Sequence, residues 1–394
     1  MSLTREKLNQ AVKFVQEADL DIWLTFVRET AGGSDPVLPL LIEGGLTWHS
    51  ALMVTRGGDK IAVVGNYDAD PLVASGDWDK VIPYVQGMKE NLLEVFEEYC
   101  RPTPRIGLNF SSDDTKADGL THGMFLTLQD WVRDSRFEGA FVSAAGLLSK
   151  LRGIKTKSEL ERIEGAILAG DLIFKEIAEF AKVGVSERAV YDIVHRWMRE
   201  RGLGFSWDPA GDPIVNSGPH SMIGHGVPSD KIIIEPGHIF HVDLGVIWLG
   251  YSSDVQRCWY VGDEVPEDVQ KGLDAVNAAI SAGAELLRPG VLGHEVDAAA
   301  RATIQERGYP EYLHAFGHQV GLVAHDGGAI LGPEWDRYGD TPRIPICEGE
   351  IYTLELGVTL PERGYLGLEE MVVVTAEGCE FLTTRQMTMP LIRP

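Results

Sequence analysis

The chain has 394 residues, 44% hydrophobic and 24% charged, an ordinary globular composition with room for about two domains. Lys and Arg number 35 against 59 Asp and Glu, and the net charge of −24 repels phosphate backbones, which sets a nucleic-acid role aside. No run approaches the ~18 uninterrupted apolar residues of a membrane span, and the charged N-terminus lacks an apolar signal core, so no membrane partner is expected. Cys100, Cys258, Cys347 and Cys379 form no C-x-x-C pair, which argues against a disulfide framework or a thiolate zinc site and for a reduced cytoplasm. The sequon at Asn109-Phe110-Ser111 is then expected to be accidental.

Residues 1–148 read as an α/β domain. "TREKLNQAVKFVQEAD" is an amphipathic helix, and "IWLTFV", "ALMVT" and "KIAVVG" are strand-like. "WDKVIPYVQGMKENLLEVFEEY" is expected to be helical and "RIGLNF" a strand.

Residues 149–394 form the second expected domain. Ser158 and Glu161 make a candidate capping box for a helix with Leu160, Ile163, Ile167 and Phe174 on one stripe. Gly184 closes that helix and Ser186 caps the next, "ERAVYDIVHRWMRERG". "IVNSG", "KIIIEPG" and "HVDLGVIWLGYSSDVQRCWY" follow as strands. The order then recurs. Two more helices, "EDVQKGLDAVNAAISAGAELLRPG" and "HEVDAAARATIQERGY", precede the strand-like "GHQVGLVAHD", "EIYTLELGVTL" and "LEEMVVVTAEG". Helix pairs followed by strands, twice over, suggest an internal duplication with a site shared by the halves, although helix pairs also recur by chance.

Each half contains a hairpin with misplaced charge. Asp243 and Asp254 interrupt apolar strands, and their midpoint at 248.5 lies within the turn expected around Trp248–Tyr251. They are therefore expected opposite or nearly opposite each other on one face. Glu355 and Glu369 repeat the pattern about a midpoint of 362, in "LPERG". Like charges so placed are destabilising without something positive between them. His318, between the hairpins in sequence, adds an imidazole to this oxygen-rich set. Such a set suits two divalent cations sharing a bridging water or hydroxide, with manganese, cobalt, zinc or iron favoured over copper.

The ordered series Asp243, Asp254, His318, Glu355, Glu369 resembles the metal set of the pita-bread metallopeptidases, which include methionine aminopeptidase, aminopeptidase P and prolidase, with creatinase as a metal-free relative. "LRGIKTKSELERI" resembles the entry to their catalytic domain and "VNSGPHSMIGHGVP" one of its loops, while residues 1–148 are similar to the N-terminal domain of the prolidase and creatinase branch. The resemblance implies an α/β N-terminal domain joined to an α+β pita-bread domain with internal pseudo-duplication. It implies two divalent ions, manganese first, and a homodimer acting on short peptides.

By motif, Asp243 and Glu369 would bridge the ions, Asp254 would complete one site, and His318 with Glu355 the other. Glu355 would also take a proton from the attacking water. His225, His314 and His325 match histidines that bind substrate and stabilise the oxyanion, whereas His220 and His294 match nothing. Leu356, Gln319 and Asp326 depart from the pattern, the loop between Glu355 and Glu369 is short, and Gly367 stands where proline-specific members commonly carry Arg. A missing guanidinium weakens carboxylate recognition. The leading expectation is a two-metal exopeptidase, dipeptidase or aminopeptidase, for Xaa-Pro bonds. A metal-dependent hydrolase or lyase of a non-peptide small molecule, and a non-catalytic binding module, are the alternatives.

Overall fold

The computed structural model describes residues 2–224 and 226–394. The chain divides into two compact units, 1–152 and 153–394. In the first, a six-stranded mixed sheet runs in the order β4-β3-β2-β1-β5-β6. Its strands are β1 (Ile22–Val27), β2 (Ser50–Thr55), β3 (Lys60–Gly65), β4 (Lys80–Tyr84), β5 (Ile106–Leu108) and β6 (Phe141–Ser143). The helices are α1 (Leu3–Glu17), α2 (Leu38–Leu41), α3 (Ala69–Ser75), α4 (Lys89–Tyr99), α5 (His122–Val132) and α6 (Ala145–Gly153). Alternate strand residues Ile22, Leu24 and Phe26 bury with Leu92 and Phe96 of α4 and Leu128 of α5 in one core cluster. That is the pattern expected of a sheet face covered by helices.

One expected helix is split here. Its front half is β4, and α4 starts only at Lys89. Val81 and Ile82 favour a strand, and Pro83, which lacks a donor, is tolerated because β4 is the sheet edge. Asn109 of the sequon is buried, accepting from Trp23 Nε1 and donating to Thr25 Oγ1 and Asp35 Oδ2, so its amide is committed inside the fold.

The second unit begins with α7 (Lys157–Phe180) and α8 (Glu187–Glu200), followed by β7 (Gly204–Phe205), β8 (Ile214–Ser217), β9 (Ile239–Trp248) and β10 (Tyr251–Val261). Then come α9 (Glu267–Leu286), α10 (Gly293–Glu306), β11 (Ile351–Leu360), β12 (Gly364–Val374), β13 (Cys379–Phe381) and β14 (Leu391–Ile392). Two helices and a long hairpin thus occur twice.

The capping box of α7 is formed by Thr156 and Glu159, two residues ahead of the expected Ser158 and Glu161. "TKSELE" contains both spacings, and the earlier one captures the first free N–H groups. Ser186 caps α8 as expected. Residues 231–237 are not a strand. They make only one bridge, Ser186 to Ile233. Residues 317–326 are likewise a loop held by the bridges Gly317–Leu331 and Gln319–Tyr352. A Cβ on Gly317 would lie 2.0 Å from the Thr353 carbonyl oxygen, so this loop runs against the β11 backbone more closely than any side chain at position 317 permits.

The first hairpin turns through Leu249 and Gly250, with φ of 49° and 82°. Two consecutive positive φ values are what a two-residue turn between right-twisted strands demands. Gly250 takes the second of those positions, so the centre lies one residue beyond the expected midpoint. Asp243 consequently faces Gln256, and Asp254 faces Gly245. The aspartates are diagonal neighbours rather than directly opposed, still on one face. In the second hairpin Glu355 faces Glu369 directly, as its midpoint predicts.

Helix α7 packs along the first hairpin through its glycines. A Cβ on Gly165 would fall 2.2 Å from the Trp248 ring, while Gly170 faces Ser253 and Val246. No helix among the described residues is long and apolar enough to cross a membrane. Thr156→Ala is expected to lower unfolding free energy by about 0.5–2 kcal/mol, and by more than Ser158→Ala. Urea denaturation checks this, and the reverse order would place the cap at Ser158.

Candidate metal centre

Side-chain alternation aims Asn216 of β8, His241 and Asp243 of β9, and Asp254 and Gln256 of β10 to the same face of their sheet. Glu355 of β11 and Glu369 of β12 share a face of theirs. The hairpins lie against each other. Asp254 N donates to Met371 Sδ at 3.3 Å, and Cys258 Sγ donates to Gly367 O at 3.1 Å. His318 enters from the 317–326 loop, its N–H on Thr353 Oγ1 and its carbonyl accepting from Thr353 N, so β11 fixes its backbone.

His318 Nε2 lies 3.7 Å from Asp254 Oδ2, 3.5 Å from Glu355 Oε1 and 3.9 Å from Glu369 Oε1. One donor atom each from Asp254, His318 and Glu369 falls within 4.8 Å of the others. His318 Nδ1 is 3.1 Å from Ala324 O, which fixes the tautomer with the proton on Nδ1 and leaves the Nε2 lone pair pointing at the carboxylates. Asp254 and Glu369 are buried, whereas Asp243, Glu355 and His318 are partly exposed, so the cluster opens on one side.

Burial pushes the Asp243 carboxyl up to about 7, although a hydrogen bond from Asp254 pulls the other way. Burial and then the Asp243 charge push Glu355 up to about 8. Asp254 and Glu369 are raised as well, by burial first and then by the neighbouring carboxylates. Burial, with repulsion from His325, drives the His318 imidazole down to about 3, so it is neutral. Among the described residues no Lys or Arg forms an ion pair with any of the four acids. Arg257, adjacent in sequence to Gln256, is engaged with Glu370 at 3.1 Å. Asp243 Oδ1 is buried without a hydrogen-bond donor. Four acids, a neutral imidazole presenting its lone pair and an orphaned carboxylate oxygen fit divalent cations.

The His325 ring stands edge-on to His318, with centroids 4.3 Å apart. His314 is exposed, its ring 5.6 Å from Tyr312. His225 lies outside the described residues.

Sequence reasoning passed over several side chains of this region. Gln256 donates to Glu355 Oε2 at 3.0 Å and to Glu369 Oε2 at 3.2 Å. Tyr312 donates to Tyr365, and the Tyr365 ring lies over Gly357 and Gly367, where a Cβ on either glycine would come within 2.4 Å of it. Asp212, behind Asp243, accepts from Ser206 N at 3.0 Å and Gly245 N at 3.2 Å. Gln256 was recoverable, being two residues from Asp254 on the same face. Asp212 and Tyr312 come from loops, and no strand periodicity announces them.

The family model of Metallopeptidase family M24 matches residues 161–376, which contain the two hairpins and His318. The chain belongs to this metallopeptidase family. An uncharacterised peptidase of Bacillus subtilis is 32% identical over 275 residues, 68% of this chain and 71% of its own. An Xaa-Pro dipeptidase of Pyrococcus furiosus is 35% identical over 239 residues, 60% of this chain and 65% of its own. A solved structure of an Xaa-Pro dipeptidase from Bacillus anthracis superposes with a TM-score of 0.73 at 25% identity, covering 98% of this chain and 99% of that one. The C-terminal unit of this metallopeptidase thus has the pita-bread fold, and the protein is a metal-dependent peptidase of the prolidase and aminopeptidase P branch.

Asp243 and Glu355 ionise near 7 and 8 in the folded chain but near about 4 when unfolded. Between about pH 4 and 8 the unfolded chain binds fewer protons, so this cluster's contribution to stability falls as pH rises. In metal-free protein the loss of melting temperature from pH 5 to 8 is expected to be smaller in an Asp243→Asn, Glu355→Gln variant than in wild type. Equal slopes in calorimetry would contradict the raised ionisations.

Proposed function

We propose that this metallopeptidase is an exopeptidase that hydrolyses Xaa-Pro bonds with two divalent ions, manganese first among the candidates. Asp243, Asp254, His318, Glu355 and Glu369 would hold them. The observation that carries this reading is the approach of the His318 Nε2 lone pair to three carboxylates within 3.9 Å, beside the orphaned Asp243 Oδ1. Relatives named Xaa-Pro dipeptidases, from Pyrococcus furiosus and Pyrococcus horikoshii, support this substrate class. Ions bound there would polarise the scissile carbonyl and lower the pKa of the attacking water.

The chain's own residues do the rest. Glu355 is partly exposed, so its carboxylate can accept a proton from the attacking water and deliver it to the departing proline nitrogen. Asp254 and Glu369, buried on strands, hold fixed positions and exclude water from the far side of the cluster. His325, whose ring is packed edge-on to His318, would donate to the oxygen that gains charge at the carbonyl. His314 and His225 are assigned to the substrate's flanks.

A specific feature bears on substrate length. The position two residues before Glu369 is Gly367, and the space beside it is filled by Tyr365 and Gln256. Neutral groups there give a free C-terminal carboxylate next to the scissile bond no cationic partner. Longer Xaa-Pro-Yaa peptides, whose proline carbonyl is an amide, fit this wall better than dipeptides.

Asp254→Ala is expected to reduce turnover more than a hundredfold, beyond the ten- to hundredfold cost of losing an outer-shell partner. The manganese-loaded protein should turn over Xaa-Pro-Yaa tripeptides with higher kcat/KM than the matching Xaa-Pro dipeptides, and peptides without proline least. Turnover of non-peptide amides alone would replace this reading with a small-molecule hydrolase.

A further inference from the structure

The face of β9 and β10 that bears Asp243 and Asp254 carries two buried polar side chains outside the ligand set, His241 and Gln256. Gln256 stands directly across from Asp243, and His241 across from Asn216 of β8. Carboxylates only accept hydrogen bonds, so the amide end of Gln256 that meets Glu355 Oε2 and Glu369 Oε2 is its NH2 group. Its Oε1 is thereby turned back toward His241 Nε2, 3.0 Å away. That contact requires the imidazole proton on Nε2. With the proton on Nε2, Nδ1 carries a lone pair and makes no hydrogen bond to Asn216 Oδ1, 3.1 Å away, so Gln256 is the partner that fixes the tautomer.

The consequence appears at the carboxylates. Glu355 and Glu369 each present Oε2 to the one Gln256 amide, and each turns Oε1 toward His318 Nε2, at 3.5 Å and 3.9 Å. A single NH2 group therefore sets the rotation of both. Its place depends on Gly367, because a Cβ there would lie 2.8 Å from Gln256 Oε1 and 2.4 Å from Tyr365. Gly367 thus makes room for the amide as well as for the tyrosine.

We propose that His241 and Gln256 form a positioning relay, in which His241 holds Gln256 and Gln256 orients Glu355 and Glu369 so that one oxygen of each faces the metal side of the cluster. The proposal rests on reading those residues as metal ligands. Holding both carboxylates before any ion arrives preorganises the site and removes rotational freedom that binding would otherwise have to freeze.

Cobalt(II) titration of the full-length, metal-free protein, followed by the visible absorption of the bound ion, tests the relay. Gln256→Met keeps the chain length and removes the donor. It is expected to weaken cobalt binding about ten- to hundredfold and to alter the visible bands, with the far-ultraviolet circular dichroism of wild type. His241→Phe, which leaves Gln256 unanchored, should shift binding in the same direction, and His241→Gln, which can again donate to Oε1, should restore it. If Gln256→Met does not fold, the His241 pair decides. Wild-type affinity and bands in Gln256→Met, or equal affinity in the two His241 variants, would overturn the relay alone. A wild-type protein that takes up no cobalt would overturn the relay together with the metal reading beneath it.

Discussion

Four carboxylates share one corner of the C-terminal unit, and among the described residues no Lys or Arg pairs with any of them. This is the constraint around which the two hairpins are arranged. Burial and mutual repulsion lift Asp243 to about 7 and Glu355 to about 8, and raise Asp254 and Glu369 as well. A core of Val and Ile at these positions would avoid that cost entirely. The acids are tolerated because the sheets hold them, through Glu355 paired with Glu369, Asp243 with Gln256, and α7 closing over the first hairpin with glycines. Two divalent ions would balance the charge of the four ionised acids, so the mutual repulsion of the carboxylates and an affinity for metal would have one origin.

Much of this was legible in the sequence because strands alternate with a period of two. The midpoint between Glu355 and Glu369 placed them in exact register. The same argument put Asp243 against Asp254 and missed by one pairing step. Leu249 and Gly250, rather than Trp248 and Leu249, adopt positive φ, and sequence alternation alone does not choose among turn positions. The face survived the shift because the error was even. Side chains that reach the site from irregular segments had no such signal. Asp212 is fixed by the backbone N–H groups of Ser206 and Gly245, and Tyr312 by its hydrogen bond to Tyr365, partners that only the folded chain brings together. The helix expected across residues 78–99 failed for a related reason. Val81, Ile82 and Pro83 gain more from the open edge beside β3 than from helical packing.

Gly367 joins these threads. From sequence it is a loss, the absence of a guanidinium two residues before Glu369. In the fold it is a space, filled by the Tyr365 ring and by the Gln256 amide that grips both glutamates. On the proposed function, substrate recognition and ligand orientation would both depend on this one small residue. Restoring a long side chain there would displace Gln256 and disturb the carboxylates before it could contact any peptide.

The central claim is that the faces of the two hairpins, with His318, form a centre for two divalent ions. Crystals of the protein soaked in manganese, with anomalous diffraction recorded at the manganese edge, test it most directly. Two anomalous peaks enclosed by Asp243, Asp254, His318, Glu355 and Glu369 are predicted. A single peak there would contradict the two-ion centre, and peaks confined to the surface would contradict the centre altogether.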